Sequence, residues 1–345
     1  MGVIHPENLD DWKAWQERRK GLRRWQTLFN ASRKRPEHLS LSVRGAHPKV
    51  LLALDSRSVT TVRSLYGILA ADLDLAVLSS VHDTKGLTQI VGAPSERVSD
   101  AAAIPDSVKT VVSAGHFLPA GAAAEAWART RNTSHVVVQH GLMTPFAPPL
   151  PPNGHLLAIS ESDAEFWKSG RTDITYEVVG SQLFWDAANA KGNSADLDGQ
   201  PVFLGQLHGA ELSRWGMSRA AGQFWRQTGC LYRPHPSETD RLSRLQHSLW
   251  SKRGMAIDLS GKPLSEISAP VVAAFSTGVL EAAARGIPAW VYYPSPPAWL
   301  SEFWTRYRMS RWAVDVGPTP APPLPASRPV ESILAAVLRL SGETS

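Results

Sequence analysis

From Lys49 onward the chain repeats one pattern, a short apolar run followed by a segment of helix length and then another apolar run. Apolar runs without polar alternation suit strands buried on both faces, and strands joined by helices lie parallel. Val50 to Leu54, Leu75 to Leu78, Val111 to Ser113, His135 to Val138 and Leu156 to Ile159 are such runs, and Glu177 to Val179 is the last before a break. Val59 to Ala71, Ala120 to Arg131 and Ser181 to Ala190 read as helices between or after them. The break, Lys191 to Gln200, has almost no apolar side chain and two glycines, the composition of a linker. The alternation then restarts with Pro201 to Leu204, Cys230 to Tyr232, Met255 to Ile257, Pro270 to Phe275 and Ala289 to Tyr292. The expected fold is α/β, with two Rossmann-like, doubly wound domains facing a cleft into which the carboxyl edges of both sheets open.

A chain of 345 residues exceeds what one hydrophobic core usually supports, and 43% hydrophobic with 19% charged residues belongs to a folded protein. The expected divisions are a basic, Trp-rich helical segment over 1–40, an acceptor-side domain over 41–190, a linker over 191–200, a nucleotide-donor domain over 201–317, and a Pro-rich connector with a C-terminal helix over 318–345. The single cysteine, Cys230, rules out an internal disulfide and a cysteine zinc cluster, and fits a reducing compartment. No run of about 18 apolar residues and no leader pattern occurs, so a cytoplasmic protein is expected. The net charge of +5 is concentrated early, at Lys13, Arg18, Arg19, Lys20, Arg23, Arg24, Arg33, Lys34 and Arg35. Beside those cations stand Trp12, Trp15, Leu22, Trp25, Leu28 and Phe29. Residues 12–35 read either as a solvated basic helix or as a peripheral contact with an anionic membrane on its cytoplasmic face. Nucleic acid is not an expected partner.

Two motifs in the second half carry the chemistry. In Phe275-Ser276-Thr277-Gly278 a buried strand ends and a helix begins, so free N–H groups and the positive end of the helix dipole attract an anion. The hydroxyls of Ser276 and Thr277 add donors, Gly278 lets a phosphate approach, and Glu281 one turn later can hold ribose hydroxyls. The alternative is plain capping, with Ser276 or Thr277 as the N-cap and Glu281 in a capping arrangement. In Tyr232-Arg233-Pro234-His235-Pro236 two prolines hold an imidazole rigidly at a strand end. His235 can donate to a leaving phosphate, and Arg233 can neutralise its charge.

Arg-Pro-His-Pro followed by Ser-Thr-Gly-x-x-Glu-Ala resembles the HP and serine/threonine motifs of bacterial GT-B transferases that use cytidine-nucleotide donors. Those are the CDP-glycerol glycerophosphotransferases of teichoic acid synthesis and, more loosely, the sialyl- and Kdo-transferases of capsule assembly. The resemblance implies a GT-B fold with donor phosphate at His235, Ser276 and Thr277. It also implies a His-Gly pair near the acceptor, matched here by Gln139-His140-Gly141, with His140 as the general base. His140 otherwise reads as a histidine hydrogen-bonded in a loop. Leu204-Gly205-Gln206-Leu207-His208-Gly209 opens the second domain where donor phosphates meet backbone amides, which makes His208 a further candidate. Asp55, after the first strand, either reaches the acceptor or caps the next helix.

No Asp-x-Asp, no His-Glu-x-x-His, no P-loop and no Gly-x-Gly-x-x-Gly after the first strand occurs, so neither a metal nor a bound cofactor is expected. The nucleotide-activated donor is a substrate. The expected function is a metal-independent glycosyl- or glycerophosphotransferase of cell-envelope polymer synthesis acting on a glycan or polyol-phosphate acceptor. The alternatives are a UDP-sugar-dependent transferase or epimerase of the same fold, and a catalytically silent binding protein.

Overall fold

The computed structural model describes residues 2–19, 39–56, 59–80, 88–89, 91–98, 101–190, 196, 199–207, 209 and 211–342. These form two compact α/β units, one of residues 1–182 with 325–345 and the other of residues 183–324. The division falls after Gln182, inside the segment read from sequence as a helix leading into the linker.

The first unit is built on an eight-stranded sheet. Its strands are β1 (Leu39–Arg44), β2 (Val50–Leu54), β3 (Leu75–Ser79), β4 (Ser95–Val98), β5 (Thr110–Ser113), β6 (Ser134–Val138), β7 (His155–Ala158) and β8 (Thr175–Val178). They lie in the order β4-β1-β3-β2-β5-β6-β7-β8, and all neighbours from β3 to β8 are parallel. β1 and β4 add an antiparallel edge that the sequence reading did not include. Helices of this unit include α1 (Leu9–Arg19), α2 (Val59–Ala70), α3 (Pro119–Thr130) and α4 (Glu161–Lys168), together with Pro329–Ser341 at the C-terminal end.

Alternate residues of β2 show why its run is continuously apolar. Val50, Leu52 and Leu54 pack with Leu65, Ile68 and Leu69 of α2 and with Ile333, Ala336 and Val337 of the C-terminal helix. Leu51 and Ala53 pack with Ala120, Ala124 and Trp127 of α3 on the opposite face. A strand with helices on both sides has no face left for polar residues. Arg44 closes one end of this core, donating to the carbonyls of Leu69, Ala71, Leu73 and Val91 where α2 runs out of helical partners.

The second unit carries a four-stranded parallel sheet of β9 (Val202–Leu204), β10 (Leu231–Arg233), β11 (Val271–Ala273) and β12 (Ala289–Val291), ordered β10-β9-β11-β12. Its helices are α5 (Gln182–Asn189, which begins at the division), α6 (Arg214–Thr228), α7 (Arg241–Lys252), α8 (Thr277–Ala284) and α9 (Ala298–Arg306); the C-terminal helix of the first unit is then α10. Met255 to Ile257 forms no full strand and pairs only through a bridge between Tyr232 and Ile257. An aromatic core of Phe203, Phe224, Tyr232 and Trp250 joins β9, α6, β10 and α7. Cys230 is buried beside it, and burial pushes its thiol up to about 12, which makes it inert.

The proline-rich stretch after His140 is fixed by side chains reaching in from elsewhere. Prolines offer no N–H, but their carbonyls and those of their neighbours still need donors. Trp12 Nε1 donates to Phe146 O at 2.8 Å, Trp167 Nε1 to Pro148 O at 2.8 Å, and the buried Arg171 guanidinium to Leu150 O at 2.7 Å and Pro6 O at 3.2 Å. Arg171 also pairs with Asp173, and chiefly through that bond it holds the Asp173 carboxyl down to about 2. Trp15 stacks on Phe146 and Arg19 lies over both rings. In its described part, the aromatic side expected to meet a membrane is therefore turned onto the protein; residues 20–35 lie outside the described residues.

A buried guanidinium with this many partners has no adequate substitute. Arg171→Lys is expected to lower the unfolding free energy by about 3 kcal/mol, read as a lower midpoint in urea at unchanged slope.

Candidate functional site

Because β9 to β12 are parallel and in register, Leu204, Arg233, Ala273 and Val291 end their strands at one edge. The loops that follow gather there, as ligand-binding loops of open α/β sheets do. Three of them are tied together by two polar side chains. Glu238, 5% exposed, accepts through Oε1 from Leu207 N at 3.0 Å and His235 N at 3.3 Å, and through Oε2 from Tyr232 OH at 3.0 Å and His247 Nε2 at 2.8 Å. Gln206 Oε1 accepts from Phe275 N at 3.3 Å. Gly205 is required by this closeness, since a Cβ there would lie 2.3 Å from the Tyr232 hydroxyl and 2.7 Å from Glu238 Oε1. Burial, then the charge of Glu238, raises Tyr232 well above the usual phenol range, so it remains a donor.

The candidate residues of this edge divide into groups turned to the protein and groups turned to the loops. Arg233 is engaged: it pairs with Asp258 at 2.6 Å and also donates to Lys262 O. Burial works against ionisation of Asp258, but hydrogen bonds from Ser260 and the pairing with Arg233 outweigh it and lower its pKa. Gly278 leaves no open space, because a Cβ there would meet Leu204 and Leu264 at 2.7 and 2.8 Å. The room expected for a phosphate at that glycine is filled by leucine side chains. Ser276 is the N-cap of α8, its Oγ accepting from Gly278 N at 3.1 Å, and Thr277 is the first helical residue. Glu281 follows one turn later, half-buried.

His235 stands exposed at the strand end, and its Nδ1 accepts from Ser237 N at 3.1 Å, which sets the neutral ring as the Nε2–H tautomer. Its ring is only partly covered, and that partial burial lowers its pKa, with Glu238 opposing. His235 and Ser276 follow the strands on either side of β9, which run about 10 Å apart. His208 of that loop lies outside the described residues.

The corresponding edge of the first unit is arranged differently. The order β3-β2-β5-β6 reverses direction between β2 and β5, the switch point where a ligand crevice is expected. Asp55 ends β2 there, and it caps neither its own following helix nor open space. It accepts from Ala120 N at 2.7 Å, Gly121 N at 2.8 Å and Ser80 Oγ at 2.7 Å. The N-cap position of α3 is Leu118, which has no side-chain oxygen, so a carboxylate from the neighbouring strand supplies the cap. Gln139 is likewise structural, accepting from Ile159 N at 2.8 Å and donating to Gly141 O at 2.9 Å across the turn that carries His140.

His140 follows β6 at this edge. Burial lowers its pKa, a hydrogen bond to the Val138 carbonyl opposing. A Cβ at Gly141 would meet nothing within 4 Å. Two further histidines were not singled out from sequence. His116, after β5, is held down to about 4 by burial and then by Lys13 and Arg171, and His135 within β6 to about 3 by burial and then by His116. His135 Nε2 lies 2.8 Å from Ser113 Oγ. No spacing in the chain announces these two, because each is brought in by a different strand. Glu238 did have a signal, the three-residue step from His235 that lets a carboxylate reach back to a backbone N–H.

Two outcomes follow from this geometry. Replacing Glu238 by Gln, which turns one acceptor into a donor among four donors, is expected to cost about 3 kcal/mol in urea unfolding. His116 and His135 take up protons in the unfolded chain below 6.5 but in the folded chain only near 4 and 3. Stability therefore falls as pH drops through that window, by about 3 kcal/mol for His116 and about 5 kcal/mol for His135. His135→Gln, which keeps a partner for Ser113, removes its share of the slope.

No family model matches the chain, and no curated protein matches it. Among solved structures, the UDP-GlcNAc 2-epimerase from Methanocaldococcus jannaschii is similar with a TM-score of 0.47 at 11% identity, over 84% of this chain and 99% of that one. The glycotransferase of kitacinnamycin is similar with a TM-score of 0.45 at 11% identity, over 86% of this chain and 92% of that one.

Proposed function

We propose that the chain is a GT-B-type, nucleotide-dependent transferase whose donor phosphate binds at the carboxyl edge of the β9–β12 sheet. The observation that carries the reading is the contrast between the two sheet edges. In the first unit the anion-attracting start of α3 is already filled by the protein's own carboxylate, Asp55. In the second, among the described residues the start of α8 is capped by the neutral hydroxyl of Ser276, and the Nε2–H imidazole of His235 follows the strand two places away at the same sheet edge. The motif resemblance adds a cytidine nucleotide as the donor and a polymer of the cell envelope as the product.

In this reading an acceptor hydroxyl attacks the activated carbon or phosphorus of the donor. A new bond forms to the acceptor oxygen, and the bond to the nucleotide phosphate oxygen breaks. The motif resemblance assigns the acceptor proton to His140, whose lowered pKa keeps it neutral, and so able to accept a proton, near neutral pH. The departing phosphate keeps the electron pair and is met by the N–H groups of α8, the hydroxyls of Ser276 and Thr277, and His235 Nε2–H. Arg233 holds the Asp258 segment in place and is assigned no direct contact with phosphate.

That engagement of Arg233 is also the observation that favours a second reading, a nucleotide-binding protein without turnover, since it removes one cation from the expected site. A panel of CDP, CMP, UDP and their sugars separates the readings. A nucleotide at 100 times its dissociation constant is expected to add about 2.7 kcal/mol of stability, seen as a higher melting temperature, and His235→Ala is expected to abolish the gain. If no nucleotide stabilises the chain, both readings fail; if one does but no transfer follows, the second stands. Where transfer is seen, His140→Ala is expected to lower kcat at least about a hundredfold, and the acidic limb of the wild-type rate should lie below 6.5.

A further inference from the structure

Helix α7 carries an apolar stripe on its outer side. Leu242, Leu245 and Leu249 are 62%, 57% and 41% exposed, and at about 100° per residue they fall within about 60° of one another around the axis. The opposite side is the one the fold uses: Trp250 and Ser243 are buried, and His247 turns in to Glu238. The stripe is therefore surplus to the core of its unit.

The charges around the stripe indicate what covers it. Arg241, Arg244 and Lys252 are exposed along one flank, and Arg253 ends the helix. No acidic residue stands between Arg241 and Arg253. Asp240, the N-cap, is neutralised by Arg214 at 3.0 Å. A second copy of the chain packed through this helix would set these cations against one another. A bilayer with anionic headgroups supplies both complements at once, acyl carbon for the leucines and phosphate for the flanking cations.

We propose that α7 is a membrane-docking helix, lying in the interface of an anionic bilayer with Leu242, Leu245 and Leu249 inserted and its cations at headgroup level. The proposal uses no residue of 12–35 and is independent of any nucleotide. Because α7 begins at the sheet edge that carries the His235 turn, docking brings that edge to the lipid surface.

The test is co-sedimentation of the full chain with vesicles of phosphatidylcholine alone and of phosphatidylcholine and phosphatidylglycerol in equal parts. Binding is expected only with phosphatidylglycerol, and should weaken as salt is raised. The variant L242S/L245S/L249S, changed only at exposed positions, should keep the wild-type melting temperature and bind about a hundredfold more weakly. R241Q/R244Q/K252Q should bind more weakly and lose most of the salt dependence. Failure of the wild type to bind the mixed vesicles overturns the proposal. So does unchanged binding by the leucine variant, which would place the contact elsewhere, or equal binding to phosphatidylcholine alone. A wild-type dimer that the leucine variant converts to monomer in light scattering would assign the stripe to a second copy instead.

Discussion

A carboxylate removed from water must find donors for its lone pairs within the protein, and Glu238 does so by collecting them from four separate places. The 205–207 loop, the turn at His235, the end of β10 and helix α7 are all referred to this one group. Its position decides where His235 stands, and through Leu207 and Gln206 it bears on the backbone at Phe275 as well. The edge of the second sheet is thereby held by polar contacts, although β9, β11 and β12, which lead to it, are apolar.

Asp55 plays the matching part in the first unit with an opposite result. It too gathers backbone N–H groups, but those it takes belong to the start of a helix, and in taking them it cancels the positive end of the α3 dipole. The two sheets thus present different electrostatic edges. In the first the carboxylate is spent on the start of a helix; in the second Glu238 is spent on loop N–H groups, and the start of α8 is capped by a hydroxyl. The asymmetry rests on which N–H groups each acid takes.

Much of the fold was legible because its strands are buried on both sides. The run Val50 to Leu54 cannot be anything but inner strand once helices follow it, and the same holds for Leu75 to Leu78 and Val136 to Val138. The antiparallel edge was missed because β1 mixes serine with its apolar residues and β4 is almost wholly polar. At the candidate site, residue types were legible but their partners were not. Nothing local to Arg233 shows that Asp258 will claim it, and Gly278 looks like room for a ligand until Leu204 and Leu264 are brought against it. Long-range pairing decides whether a polar residue is a binding group or a brace, and a sequence position does not record it.

The C-terminal helix α10 bears on how the chain is made. Ile333, Ala336 and Val337 are part of the same core as Leu52 and Leu54, so the first unit is discontinuous in sequence and the second is inserted within it. During synthesis from the N-terminus the second unit is complete, with all its strands, before the last pieces of the first core leave the ribosome. The face of β2 that α10 covers must wait through the translation of the whole insert. The order of assembly is then the reverse of the order of synthesis: the later unit can close first, and the earlier one is sealed by the final helix.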